Sequence, residues 1–153
     1  MRGLTGILVG VALAVAAATS TAQQQSYDAS ALRVEDSHGD MRILRGSEGT
    51  VVARVGVFHS SDVVRLMASS ERATFEARKF ARDYKPGTLF FAIGIATLGA
   101  GLGVSQVGNG SHGIATALFV SGTGLVVYGA GRLEAAYNAL ARSLWWYNRD
   151  LTK

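Results

Sequence analysis

Between Lys85 and Arg132 the chain carries no Asp, Glu, Lys or Arg. The stretch divides into two apolar segments, residues 88–107 and 113–131. Each is about 20 residues, long enough at about 1.5 Å per residue to cross a hydrocarbon core roughly 30 Å thick. The linker, Gly108-Asn109-Gly110-Ser111-His112, permits only a tight reversal, so the segments are expected to lie antiparallel as a Gly-rich transmembrane helical hairpin over residues 87–131. The lipid bilayer is therefore the first expected partner.

The N-terminus carries the second signal. Arg2 precedes an uncharged run from Leu4 to Ala18, and Ser20-Thr21-Ala22 places small residues where a signal peptidase cuts. A signal peptide over residues 1–22, with a mature chain starting at Gln23, is the expectation; an uncleaved anchor is the alternative. About 130 residues then remain, and the hairpin takes a third of them, so the water-exposed part is near the lower limit for an independent core. The chain has no cysteine, which excludes disulfides, thiolate metal sites, thiol catalysis and a lipidated N-terminal Cys. Its formal net charge is +4, but 10 of the 15 basic residues lie between Arg33 and Lys85 among acids, a mixed surface and not a nucleic-acid groove.

Residues 23–86 read as a small exported domain, an antiparallel β-meander plus an amphipathic helix. Residues 23–29 are polar and expected to be flexible. Period-two patterning follows at Leu32 and Val34, at Met41, Ile43 and Leu44, and at Val51, Ala53, Val55 and Val57. Ser37-His38-Gly39-Asp40 and Gly46-Ser47-Glu48-Gly49 separate the runs with turn-forming residues. A lone three-stranded meander is marginal in water, so a covering element is needed. The expected cover is a helix of about 22 residues capped at Ser60 or Ser61, with Asp62 in its first turn. Its apolar or small stripe is Val63, Met67, Ser70, Thr74, Ala77, Ala81 and Tyr84, and Pro86-Gly87 is expected to stop or kink it.

Twelve of the 19 glycines lie between Gly87 and Gly131. Glycine is a poor helix former in water, but in lipid small residues let helix backbones approach and gain dispersion contacts. Ala92, Ala96 and Ala100 fall four apart, Gly99 and Gly103 form a second step, and Gly113, Ala117 and Ser121 form a matching stripe; these eight are the expected helix-packing residues, within one hairpin or between hairpins. On these steps the segment 88–131 resembles the glycine-zipper two-helix membrane domains of bacterial envelope proteins. That resemblance implies a structural, oligomer-forming role in the envelope. The chain departs from the lipoproteins of that group in lacking the lipidated Cys.

Residues 132–153 read as a C-terminal amphipathic helix with Leu133, Tyr137, Leu140, Leu144, Tyr147 and Leu151 on one seam. Trp145, Trp146 and Tyr147 form an aromatic cluster suited to a membrane interface, internal packing or a partner. From its spacing to Tyr137 and Ala141, Trp145 is expected to face inward, and Trp146 outward beside Arg142 and Arg149. The orientation signals conflict. A cleaved leader puts both flanks of the hairpin outside, yet Lys79, Arg82, Lys85 and Arg132 then sit outside, against the positive-inside tendency. An inverted orientation with an uncleaved leader, an outer membrane where that rule does not act, or burial in a larger complex would each resolve it. Export is the preferred reading.

No catalytic, cofactor or metal site is expected. His38, His59 and His112 are isolated, and no H-E-x-x-H or G-x-S-x-G occurs. Gly108, Gly110 and Gly113 match G-x-G-x-x-G with Glu134 beyond, but the preceding run is too long and Gly-rich for a strand. Asn109-Gly110-Ser111 fits a glycosylation sequon but suits a turn better. The sequence thus points to an α+β membrane protein of the bacterial cell envelope, non-enzymatic and without cofactors. Two roles remain: a structural protein that self-associates as a homo-oligomer, or an accessory binding subunit of a larger membrane complex.

Overall fold

The computed structural model describes residues 24–37, 40–56, 62–106 and 112–152. The expected leader, Ser60 and Ser61, and most of the reversal linker with its sequon lie outside these residues. The chain divides into two compact units, one from Met1–Ser61 with Trp146–Lys153 and one from Asp62–Trp145.

In the first unit, α1 (residues 24–30) leads into an antiparallel sheet of β1 (Leu32–Ser37), β2 (Asp40–Arg45) and β3 (Thr50–Val55), in the order β1-β2-β3. The expected meander is present. Val34 pairs with Ile43 and Ile43 with Ala53, while Met41 pairs with Val55, so the period-two residues share one face. Ile43, Ala53 and Val55 are buried there. A bulge between Ile43 and Leu44 leaves Val52 without an opposite residue, and Leu44 is buried although strict alternation would expose it.

The expectation of a flexible polar segment over 23–29 is corrected by α1. The β2–β3 turn binds the end of α1 and the residue after it: Ser47 N donates to Asp28 O at 2.8 Å and Gly46 N to Ala31 O at 2.9 Å. Groups that a helix end leaves open are thereby satisfied. Gly46 has φ +73°, and a Cβ there would lie 2.8 Å from the Ala29 carbonyl oxygen, so the turn needs glycine for both conformation and space. Asn148 in the same unit binds the edge strand on both sides of one residue, accepting from Leu32 N at 2.7 Å and donating to Leu32 O at 2.8 Å. Its amide thus continues the ladder of a strand that would otherwise end open.

The second unit is built on two long helices. The single helix expected over about 62–84 is instead split. Asp62 caps the one-turn α2 (Val63–Leu66), accepting from Arg65 N at 3.1 Å. Ser70 caps α3 (Glu71–Ser105), accepting from Ala73 N at 3.2 Å, with Glu71 in the first turn. Thr74 Oγ1 donates to Met67 O at 2.8 Å, tying α3 to the turn before it. The helix does not stop at Pro86: α3 continues through it to Ser105. α4 (His112–Asp150) likewise joins the second apolar segment to the C-terminal amphipathic helix without a break at residue 131.

The two apolar helices are long and apolar enough to cross a membrane. Their 35 and 39 residues correspond to about 52 and about 58 Å, well beyond the roughly 30 Å of a hydrocarbon core. Within the apolar stretches hydroxyls turn back onto the helix: Thr97 donates to Ile93 O, Ser105 to Leu102 O and Thr116 to His112 O. Each bond satisfies the hydroxyl within its own helix.

Gly46→Ala should lower stability by more than about 1 kcal/mol, because it combines φ strain with a backbone clash. The check is a denaturant melt beside Ser47→Ala, which should change it little.

Candidate functional site

The element that organises the second unit is the seam between α3 and α4. On α3, Ala73, Phe80, Gly87, Gly94 and Gly101 are buried; on α4, Ala115, Gly122, Gly129, Ala136 and Ser143 are. Both sets repeat every seven residues. A seven-residue repeat keeps one face of a slightly underwound helix against its partner. The facing pairs are Gly87 with Gly129, Gly94 with Gly122, and Gly101 with Ala115, as an antiparallel register requires.

The approach is close. A Cβ on Gly94 would lie 2.7 Å from Val126 N and 2.9 Å from the Gly122 carbonyl oxygen, and one on Gly122 would lie 3.0 Å from the Gly94 carbonyl oxygen. On Gly129 it would lie 2.9 Å from the Gly87 carbonyl oxygen, while at Gly101 it would find Leu118 Cβ at 3.3 Å. The backbones are thus near enough to exclude any side chain at the two central layers.

None of the eight residues expected from four-residue spacing lies in this seam. Ala92, Ala96, Gly99, Ala100, Gly103, Gly113, Ala117 and Ser121 are all exposed, and added Cβ atoms at Gly99, Gly103 and Gly113 would meet nothing within 4 Å. Packing inside the hairpin therefore belongs to the seven-residue set.

Beyond the apolar stretch the seam changes. Ala77, Phe80 and Tyr84 on α3, and Ala139, Leu140 and Leu144 on α4, are buried. The rings of Phe80 and Tyr84 lie 5.0 Å apart, and those of Tyr84 and Tyr137 6.2 Å. Two buried acids join the helices. Asp83 receives Arg132 Nη1 from across the seam and Arg82 Nη2 at 3.0 Å. Glu76 receives Lys79 Nζ at 2.8 Å, and Arg142 Nε stands 3.4 Å from its other, buried oxygen. The Arg82 hydrogen bond holds the Asp83 carboxyl below its ordinary value, with Arg132 adding to the effect and burial opposing it.

At the boundary, Arg132 also donates to the Tyr128 hydroxyl, from Nε at 3.1 Å and Nη2 at 2.8 Å. The Tyr128 ring stands edge-on to Phe90, with centroids 5.1 Å apart. Tyr128 lies in the apolar stretch with its hydroxyl toward the charged end, the disposition of an interfacial aromatic.

Trp145 is placed opposite to expectation, whereas Trp146 lies beside Arg149 as expected, though half-buried. Trp145 is exposed at 55%, Trp146 is half-buried with the Arg149 guanidinium 5.0 Å from its ring centroid, and Tyr147 is buried. Leu140, Leu144 and Tyr147 of the expected seam are buried, but Tyr137 and Ala141, from which the sequence places Trp145, are exposed, and the buried line runs through Ala136, Leu140, Ser143 and Tyr147. Trp145 falls about 200° around the helix from Ser143, and Trp146 only about 60° away.

Among the described residues no group of three or more His, Cys, Asp and Glu is placed to hold a metal ion. A groove beside the β2–β3 turn is lined by Ala29, Arg45, Gly46, Ser47, Glu48, Thr50 and Val52. His112 is exposed, and His38 and His59 lie outside the described residues. Comparison with protein-family models, curated proteins and solved structures gives no match.

Gly94→Ala should separate the helices and lower the melting temperature of the detergent-solubilised chain, whereas Gly99→Ala, which meets open space, should leave it unchanged or raise it. Equal effects would refute the assigned seam. A second expectation concerns acid. Because folding lowers the Asp83 value, its contribution is complete above the unfolded value of about 4 and is lost as pH falls through the lower folded value. Melts of the Asp83→Asn variant should therefore vary less with pH below about 4 than those of the parent chain.

Proposed function

We propose that this chain is a non-enzymatic structural protein of the bacterial cell envelope, anchored by its hairpin and assembled through the outward faces of that hairpin. One observation carries the reading. α3 and α4 hold a second set of small residues that the internal seam does not use: Gly99, Gly103, Gly113, Gly124 and Gly131 are exposed, with no atom within 4 Å of an added Cβ. Each glycine weakens a helix by about 1 kcal/mol relative to alanine. In lipid, contact with a neighbouring helix compensates that loss, because small residues permit close approach.

In this reading the leader directs export, and an outer membrane or a larger complex accommodates basic residues on the exported side. A second reading, an accessory subunit of a larger membrane complex, is favoured by the exposure of Trp145, since an exposed Trp is a frequent anchor for protein contacts.

The test is the size of the purified full chain in mild detergent. A discrete homo-oligomer is expected, and Gly103→Leu and Ala117→Leu should dissociate it without lowering the helical content. An unchanged oligomer in both variants would overturn the outward-face assembly. A monomer that co-purifies with one other protein, and loses it on Trp145→Ala, would favour the accessory role instead.

A further inference from the structure

Arg78, Arg82 and Lys85 lie at i, i+4 and i+7 on α3, so they share one face of the helix, and all three are exposed. The same row continues directly into Leu89, exposed at 58%, and then into the apolar stretch. Taking residue 88 as the hydrocarbon boundary, Lys85 stands about 4.5 Å above it, Arg82 about 9 Å and Arg78 about 15 Å. A headgroup layer is about 5–8 Å deep on each side, and an anionic surface acts over a further 8 Å or so at physiological salt. Arg132 enters the same level from α4, braced by the Tyr128 hydroxyl.

Asp83 offsets part of the charge of Arg82 and Arg132, while Arg78 and Lys85 stand outside its ion pairs. The exposed acids near the row are Glu134 on α4 and Glu71, about 10 Å beyond Arg78 along α3. The other end of the hairpin, residues 106–112, carries no Asp, Glu, Lys or Arg. The charge is concentrated at one end, level with the aromatic pair Phe90 and Tyr128.

We infer that Arg78, Arg82 and Lys85, with Arg132, form a docking surface for the phosphate groups of anionic phospholipid at one end of the hairpin. The inference rests on the membrane reading, which supplies the surface, and extends it by naming the lipid chemistry selected. Charge complementarity determines the choice: a neutral zwitterionic headgroup offers each cation a phosphate and a competing ammonium, whereas phosphatidylglycerol offers the phosphate alone. Arg82 remains 70% exposed at its side chain while bound to Asp83, so the ion pair and the lipid contact are compatible.

The experiment uses the full chain reconstituted in vesicles of phosphatidylcholine alone and of phosphatidylcholine mixed with phosphatidylglycerol. The readout is the lipid retained with the protein on gentle extraction. Phosphatidylglycerol should be enriched over its share of the vesicle. The Arg78→Gln/Lys85→Gln variant, which touches neither ion pair, should lower that enrichment by about fivefold per charge, or about 1 kcal/mol each, with an unchanged melt. Added salt should weaken it in the parent chain. Equal retention of both lipids by a chain that stays in the vesicles through an alkaline wash would overturn the inference and leave the membrane reading standing. Release of the chain by that wash would overturn both. Displacement of the lipid by millimolar inorganic phosphate would also overturn it, pointing to a free-anion site.

Discussion

The close approach of α3 and α4 is the constraint on which the rest of the molecule depends. Two apolar helices gain nothing from the hydrophobic effect when their surroundings are equally apolar, so what joins them must be short-range contact. Gly94 against Gly122 supplies it by removing both side chains, which brings a carbonyl oxygen within 3 Å of where a Cβ would stand. Every other residue of the two apolar stretches is then assigned its side. Leu98 packs over Gly122 and Val126 over Gly94, while Ile95, Leu102, Val120 and Val127 are left facing out. The outward apolar surface is thus a consequence of the seam.

The same seven-residue repeat continues past the apolar stretch with different chemistry. Where water is present, burying Phe80, Tyr84, Leu140 and Leu144 is itself favourable, and glycine gives way to larger residues. The change falls between Gly87 and Phe80 on α3 and between Gly129 and Ala136 on α4. Asp83 with Arg132 lies at this transition. A buried ion pair adds little net stability once desolvation is counted, but it penalises every register that leaves one partner unmatched. A glycine seam is smooth and resists sliding weakly. The Asp83–Arg132 pair, and further out Glu76 with Arg142, supply the resistance that the smooth part lacks.

Much of this was legible in the sequence. The alternation around Met41, Ile43, Ala53 and Val55 specified the strands, because a half-buried sheet permits one period, and the absence of charge between Lys85 and Arg132 specified the two long apolar helices. The four-residue rows do not mark the seam inside the hairpin, for a geometric reason. Four residues turn a helix through about 400°, so a row such as Ala92, Ala96 and Ala100 swings about 40° at each step and leaves a long contact within two turns. Seven residues fall about 20° short of two full turns, a drift that supercoiling absorbs. Gly87, Gly94, Gly101 and Ala115, Gly122, Gly129 carried that signal openly, and the same phase would have placed Trp145 outward. Less accessible was the cap at Ser70: the apolar stripe runs on without a gap from Val63 to Tyr84, so the sequence predicts one helix from a cap at Ser60 or Ser61, whereas Asp62 caps only a single turn and α3 starts after Ser70. The role of Asn148 depends on a contact 116 residues distant in sequence, which no local pattern encodes.

Continuity through Pro86 has a further consequence. A proline inside a helix removes one hydrogen bond and crowds the carbonyl four residues before it, a loss of about 3 kcal/mol for an isolated helix. Here the residues on either side are fixed by independent contacts: Asp83 and Tyr84 by Arg132 and Tyr137, Gly87 by the facing Arg132 and Leu133. With both flanks held against one partner helix, the chain cannot relax the strain by bending without breaking the ion pair and the glycine contact together. Pro86 is therefore held inside α3 by contacts on both sides of it, at the residue where local propensity would divide the helix.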